Sequence, residues 1–142
     1  MTRYVLGFLF ARNGNLVLLI HKARGPANVV GRLNGIGGKV HPDETTYDAM
    51  RREAEEEAGV DVIWHRYGSM GGPAWDCDLF YSYESAAPKT MDETEPVAWH
   101  ATKRINEPGD IPAVDNVAAL IAMAVLHHGS DDTMVFRMEY LP

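Results

Sequence analysis

Residues 52–59 read Arg-Glu-Ala-Glu-Glu-Glu-Ala-Gly, which places four carboxylates within five positions. On a helix turning about 100° per residue, Glu53, Glu56 and Glu57 share one arc of roughly 100°. Tyr47, Met50, Ala54 and Ala58 form a neighbouring apolar stripe, so one side packs and the next presents acids. Like charges at this spacing repel unless solvent or a cation neutralises them. Carboxylate oxygens are the preferred hard ligands of Mg²⁺, which keeps much of its water and bridges to substrate phosphate. Taken alone, a Glu run more often marks a solvated acidic helix face. Its neighbours reverse those odds.

Upstream, Asn34-Gly35-Ile36-Gly37-Gly38-Lys39, with Gly31 just before, reads as a loop whose glycines permit unusual backbone angles and bring it close to a ligand. Gly38, Glu44, Arg52, Glu53, Glu56, Glu57 and Gly59 fall in the order Gly-x5-Glu-x7-Arg-Glu-U-x-Glu-Glu-x-Gly-U, where U is a bulky aliphatic residue. Seven such matches arise by chance on the order of once in 10⁸ registers, before allowing for Glu enrichment. The segment resembles the Nudix box. Its one mild departure is Ala54 at the first aliphatic site, with Val60 at the second, which bears on packing more than on chemistry.

The resemblance implies an α/β fold, a Nudix-type α/β/α sandwich with a mixed sheet, in which the box forms a loop, a helix and a loop. It also implies that Glu53, Glu56 and Glu57, joined by the Gly37 carbonyl, hold Mg²⁺, or Mn²⁺ in its place. Arg52 and Glu44 resemble the family's internal ion pair, which orients Glu53 and ties the helix to the loop before it. Diphosphate hydrolysis needs an in-line water, relief of charge on phosphoryl oxygens and a carboxylate to orient or deprotonate the water. Candidates for that base are Glu56, Glu57 and Glu95. Glu95 is preferred to Glu93 in the run before Trp99, because an acid before such a tryptophan resembles the family's late metal-binding glutamate; either acid alone equally suits a solvated loop.

Lys22, Arg24 and Lys39 flank the glycine-rich segment and suit contact with terminal phosphates beside Gly38. Surface solubility is the plain alternative for Lys22 and Arg24. A looser resemblance to MutT-like nucleoside triphosphate pyrophosphohydrolases rests on residues 33–40 and on Pro112-Ala113-Val114-Asp115-Asn116. It implies that Asn34, Asp115 and Asn116 read a purine edge through their donors and acceptors. Asp115 is also an ordinary helix cap, and Asn34 an ordinary turn residue. The six histidines show no metal or relay spacing.

The elements that must position these groups follow from local pattern. Tyr4 to Ala11 and Asn15 to His21 flank Asn13-Gly14, a two-residue hairpin signal. Thr45 caps a helix over Thr46 to Ala58, with Asp48 in its first turn and Gly59 as its stop. Strands are predicted over Val60 to Tyr67, Trp75 to Tyr83 and Pro96 to Thr102, with a turn at Gly71-Gly72-Pro73. Asp115 caps a second helix with Val117, Leu120, Ile121, Val125 and Leu126 on its core side, and Thr133 to Tyr140 forms a last strand.

At 142 residues and 46% hydrophobic, the chain suits one domain over 1–142 with an ordinary core. A lone cysteine, Cys77, forms no internal bridge and reads as a packed strand residue, so a reducing cytoplasm is expected. The apolar runs are too short to span a bilayer. A net charge of −7 argues against a broad grip on duplex nucleic acid, leaving a small nucleotide reached through cations as the partner. The leading expectation is hydrolysis of nucleoside or deoxynucleoside triphosphates to monophosphate and pyrophosphate, including oxidised guanine nucleotides such as 8-oxo-dGTP. Alternatives are ADP-ribose, dinucleoside polyphosphates, nucleotide sugars or capped RNA as substrate, or a non-catalytic nucleotide-binding module, which an intact set of box glutamates disfavours. A prenyl diphosphate isomerase on a related scaffold would need a catalytic Cys and additional segments.

Overall fold

The computed structural model describes residues 1–130 and 134–142. Strand β1 (Thr2–Phe10) is central, because its alternating apolar side chains supply both faces. Leu6, Phe8 and Phe10 enter one core, which is closed by helix α2 (Val117–His128). Val5 and Leu9 enter the other, closed by helix α1 (Thr46–Ala58) through Ala49, Met50, Ala54 and Ala58. A sheet covered by a helix on each face is the α/β/α sandwich expected from the sequence.

The remaining strands are β2 (Leu16–His21), β3 (Leu33–Asn34), β4 (Ile36–Lys39), β5 (His65–Gly71), β6 (Trp75–Ser82), β7 (Val97–Ala101) and β8 (Phe136–Glu139). The eight strands among the described residues form a mixed sheet in the order β3-β2-β1-β6-β5-β8, with β4 on β1 and β7 on β2. One edge of β1 is shared: β2 pairs with Leu9 and Phe10, and β4 with Tyr4 to Gly7. The sheet therefore forks where β2 and β4 part, and the fork opens a cleft. A parallel bridge from Leu33 to Ala113 carries the approach to α2 alongside this fork.

Helix α1 has the limits and caps its sequence predicts. The Thr45 hydroxyl accepts the Asp48 N–H, and Gly59 closes the helix at φ 63°. Replacing Thr45 with Ala should cost about 1 kcal/mol, read as a lowered denaturation midpoint with an unchanged slope.

Elsewhere long-range contacts override local signals. The glycine-rich segment is paired strand, not loop, and Gly35, Gly37 and Gly38 are absent from the positive-φ residues. They are needed for room: a Cβ on Gly35 would lie 2.7 Å from the Gly7 carbonyl oxygen, and one on Gly37 would overlap that of Val5. Gly31 does use a positive φ, 79°. The first hairpin turns through residues 12–15, with Ala11 bonded to Leu16 and Gly14 at φ 77°, so its loop is longer than two residues. β5 begins at His65 rather than Val60, since residues 60–64 spend Val60, Val62 and Trp64 on the α1 core.

Asp115 does not cap α2. Asn116 holds the cap position without a side-chain bond, and Asp115 turns outward to Arg32 at 3.3 Å. Val125 and Leu126 are exposed, and Ala124 takes the buried place instead. The last strand is Phe136–Glu139, and Thr133 lies outside the described residues. Among the described residues no helix is long and apolar enough to cross a membrane.

Candidate active site

Helix α1 packs its apolar stripe beneath the sheet and so presents its next face to β4. Glu57 reaches furthest in: one carboxylate oxygen accepts the Gly37 N–H at 2.9 Å. Burial pushes its pKa up to about 7; the Gly37 N–H and Lys22 oppose this, while Glu53 and Glu95 add to it. Glu53 is also raised by burial, against the pull of Arg52. A Cβ on Gly38 would overlap the Glu53 carboxylate. Glycine at the head of the motif thus leaves the carboxylate its space.

Arg52 organises the acids. Its Nε and Nη2 form a two-point bond with Glu44 at 3.1 and 2.6 Å, and Nη2 also reaches the Lys39 carbonyl at 3.0 Å. Nη1 donates to Glu53 at 2.9 Å and Glu56 at 3.2 Å. The Arg52 hydrogen bonds, with the His41 N–H, hold Glu44 down at about 2. One guanidinium thereby fastens the strand preceding α1 to the helix and aims two of its acids, a geometry that a lysine cannot reproduce.

Glu95, 5% exposed, sits at the end of β2, near enough to Glu57 to add to its raised pKa. Both its oxygens are engaged: Oε2 accepts from the Ala23 and Arg24 backbone N–H groups and meets Lys22 Nζ at 3.1 Å, and Oε1 meets Arg24 Nη2 at 2.8 Å. Burial alone would raise its pKa, but these donors hold it below the usual range. Asp92 completes the clasp on Arg24. Lys22 and Arg24 are thus brought together by Glu95, a link that sequence spacing did not disclose. Lys39 instead borders a separate hollow with Arg3 and His41.

The cleft at the fork has a volume of about 360 Å³; Lys22 and Asn34 line it beside Gly35, Gly37 and Gly38, with Met70, Trp75 and Cys77 on the far wall. The Asn34 Oδ1 accepts the Gly35 N–H at 2.8 Å, which leaves its amide N–H groups for another partner. Asn116 stands behind the wall, its Nδ2 3.5 Å from the Met70 sulfur and 2.8 Å from the Tyr140 hydroxyl. The Cys77 thiol, pushed up to about 12 by burial, is a packed wall group without thiolate character. Met70, Trp75 and Tyr140 went unmarked in the sequence because only strand pairing brings them here.

The donors present fit a hard divalent cation. Glu53 and Glu57 are carboxylates desolvated on one helix face; Glu53 adds to the raised pKa of Glu57 and Glu56 to that of Glu53, a tension that a cation relieves. Among the described residues no three acid, His or Cys side chains already form a metal cage. Arg52 instead bonds Glu53 and Glu56.

A family model described as NUDIX domain matches residues 1–120. Among solved structures, a NUDIX hydrolase from Nitrosomonas europaea superposes with a TM-score of 0.77 at 20% identity, over 99% of this chain and 79% of that one. A MutT structure from work on Aliivibrio salmonicida and Vibrio cholerae gives 0.69 at 22%, over 85% and 97%. The NUDIX domain of Shewanella oneidensis NrtR, complexed with ADP ribose, gives 0.75 at 17%, over 89% and 87%. At these identities the likeness is one of fold.

Proposed function

The chain belongs to the NUDIX domain family, and we propose that this Nudix pyrophosphohydrolase converts nucleoside or deoxynucleoside triphosphates to monophosphate and pyrophosphate with Mg²⁺. The observation that carries the reading is the meeting of Glu57 with Gly37 at the mouth of a base-sized cleft. Acids for a cation and an apolar pocket for a ring lie on either side of one glycine strand.

In this reading Glu53, Glu56 and Glu57, with the Gly37 carbonyl, hold the cation. When bound, it supplies charge relief on the phosphoryl oxygens and a less basic leaving phosphate. Arg52, buttressed by Glu44, keeps Glu53 and Glu56 on the same side. The water-orienting role falls to the Glu56–Glu57 pair, because both Glu95 oxygens are already taken by Lys22, Ala23 and Arg24. Glu95 then acts as a positioning residue, holding Lys22 and Arg24 where a polyphosphate passes. Asn34 offers its free amide donors to a base carbonyl in the cleft, which favours a 6-oxopurine such as guanine or 8-oxoguanine.

A second reading, hydrolysis of ADP-ribose or a dinucleoside polyphosphate, draws support from the ADP ribose complex of the structurally similar Shewanella oneidensis domain. Turnover of 8-oxo-dGTP, dGTP, dATP, ADP-ribose and diadenosine polyphosphates, with products identified, separates the two. Pyrophosphate plus monophosphate, with kcat/KM highest for a guanine nucleotide, is the expected result. Higher kcat/KM for ADP-ribose would transfer the site to the second reading. Mg²⁺-dependent binding with no turnover of any substrate would overturn both.

A further inference from the structure

The far wall of the cleft is held unevenly. Met70 on β5 is buried at the margin of the α2-side core, whereas Trp75 at the start of β6 is only half-buried and packs against that core from outside. Strand β8 joins the edge of β5 in parallel, pairing Gly68 to Gly71 with Phe136 to Glu139. The chain then continues by one more bond, Tyr140 N–H to the Gly71 carbonyl at 2.8 Å. This seats the Tyr140 ring 5.5 Å from that of Trp75, tilted by 45°, within the range of favourable aromatic pairs. Its hydroxyl receives the Asn116 amide at 2.8 Å, and the same amide nitrogen touches the Met70 sulfur. Tyr140 therefore braces both wall residues, one through its ring and one through Asn116.

We propose that Tyr140 is a positioning residue for base recognition, holding Trp75 and Met70 as the wall against which the nucleobase ring lies. This rests on the reading that the cleft receives the base. Neither Tyr140 nor Asn116 needs to touch the phosphates, because the acids on α1 lie across the fork on β4. Loss of the brace weakens base contact and spares hydrolysis of the bound polyphosphate. The Asn116 Nδ2 is committed to Tyr140, so the residue serves the wall, and Oδ1 is left to accept from a ligand that reaches past Met70. Removing the hydroxyl alone frees Asn116, whereas removing the ring frees Trp75 as well.

The test compares Tyr140→Phe and Tyr140→Ala with the wild-type protein on the preferred nucleoside triphosphate and on inorganic tripolyphosphate, which has no base. For the nucleotide, KM is expected to rise roughly tenfold in Tyr140→Ala and about threefold in Tyr140→Phe, with kcat within about twofold. For tripolyphosphate, both constants are expected to match wild type. Equal losses on both substrates, or an unchanged nucleotide KM in both variants, would overturn the proposal. If Tyr140→Ala does not fold, Tyr140→Phe decides by the same criteria. Failure of the underlying reading has a different signature: wild-type protein would then show no preference for any nucleotide over tripolyphosphate.

Discussion

Glu57→Gln is expected to lower kcat by roughly 10²–10⁴-fold and, at the same time, to make the metal-free protein more stable at pH 8. Both effects come from one carboxylate placed where a charge is costly. Glu57 is raised from 4.5 to about 7, mainly by burial. A carboxyl whose folded pKa exceeds its unfolded value contributes stability that is fully present below about pH 4.5. That contribution is lost as pH rises through about 7. At pH 8 the wild-type protein therefore carries a buried charge that glutamine lacks, while glutamine's carbonyl still accepts the Gly37 N–H. The expected gain is on the order of 1–3 kcal/mol at pH 8 and shrinks towards zero below pH 4.5. Adding Mg²⁺ should reverse the order, since a cation bound to the folded wild type stabilises it by mass action. Thermal unfolding at pH 4.5 and pH 8, with and without Mg²⁺, reads all of this beside the turnover assay. A variant that kept a tenth of wild-type activity, or gained no stability at pH 8, would remove Glu57 from the proposed role.

Gly37→Ala should be the most damaging single-methyl change in the molecule. The added carbon would overlap the Val5 carbonyl, and the neighbouring backbone of Leu6 stands only 3.0 Å away. Backbone in the centre of a sheet cannot rotate aside as a side chain does. β4 must part from β1, breaking the register from Tyr4↔Lys39 to Gly7↔Ile36 and withdrawing the Gly37 N–H from Glu57. A loss of about 2–4 kcal/mol is expected, together with loss of turnover. Gly31→Ala is the matched control: nothing lies within 4 Å of its Cβ, and only its φ of 79° is strained. It should cost about 1 kcal/mol and leave kcat unchanged. Equal denaturation midpoints for the two variants would show that space at Gly37 is not limiting.

Much of this could be read from residues 38–60, because the relevant physics is local. Thr45 and Gly59 set the ends of α1 through bonds to backbone groups within a few residues. The 3.6-residue period alone put Glu53, Glu56 and Glu57 on one side and Ala54 and Ala58 on the other. The two-point bond between Arg52 and Glu44 likewise spans only the helix and the segment leading into it. The resemblance to the family is carried by that one stretch, and the sandwich architecture is what the resemblance implies.

Tertiary structure decided whatever depends on partners distant in the chain. Glycine weakens a strand in isolation, so residues 36–39 read as loop until β1 is seen beneath them and their lack of side chains becomes the condition for pairing. Asp115 has the chemistry of a cap, but Arg32, 83 positions away, takes its carboxylate. Glu95 has the chemistry of a metal ligand or base, and the pairing of β7 with β2 sets it among Lys22 and Arg24, partners that its sequence position did not disclose. The far wall of the cleft gains its outer support because β8 docks on β5 and sets Tyr140 against Trp75 and Asn116. The local code thus determined the carboxylate helix, while strand pairing determined the pocket, because a helix satisfies its backbone within itself and a strand must borrow its partners from elsewhere.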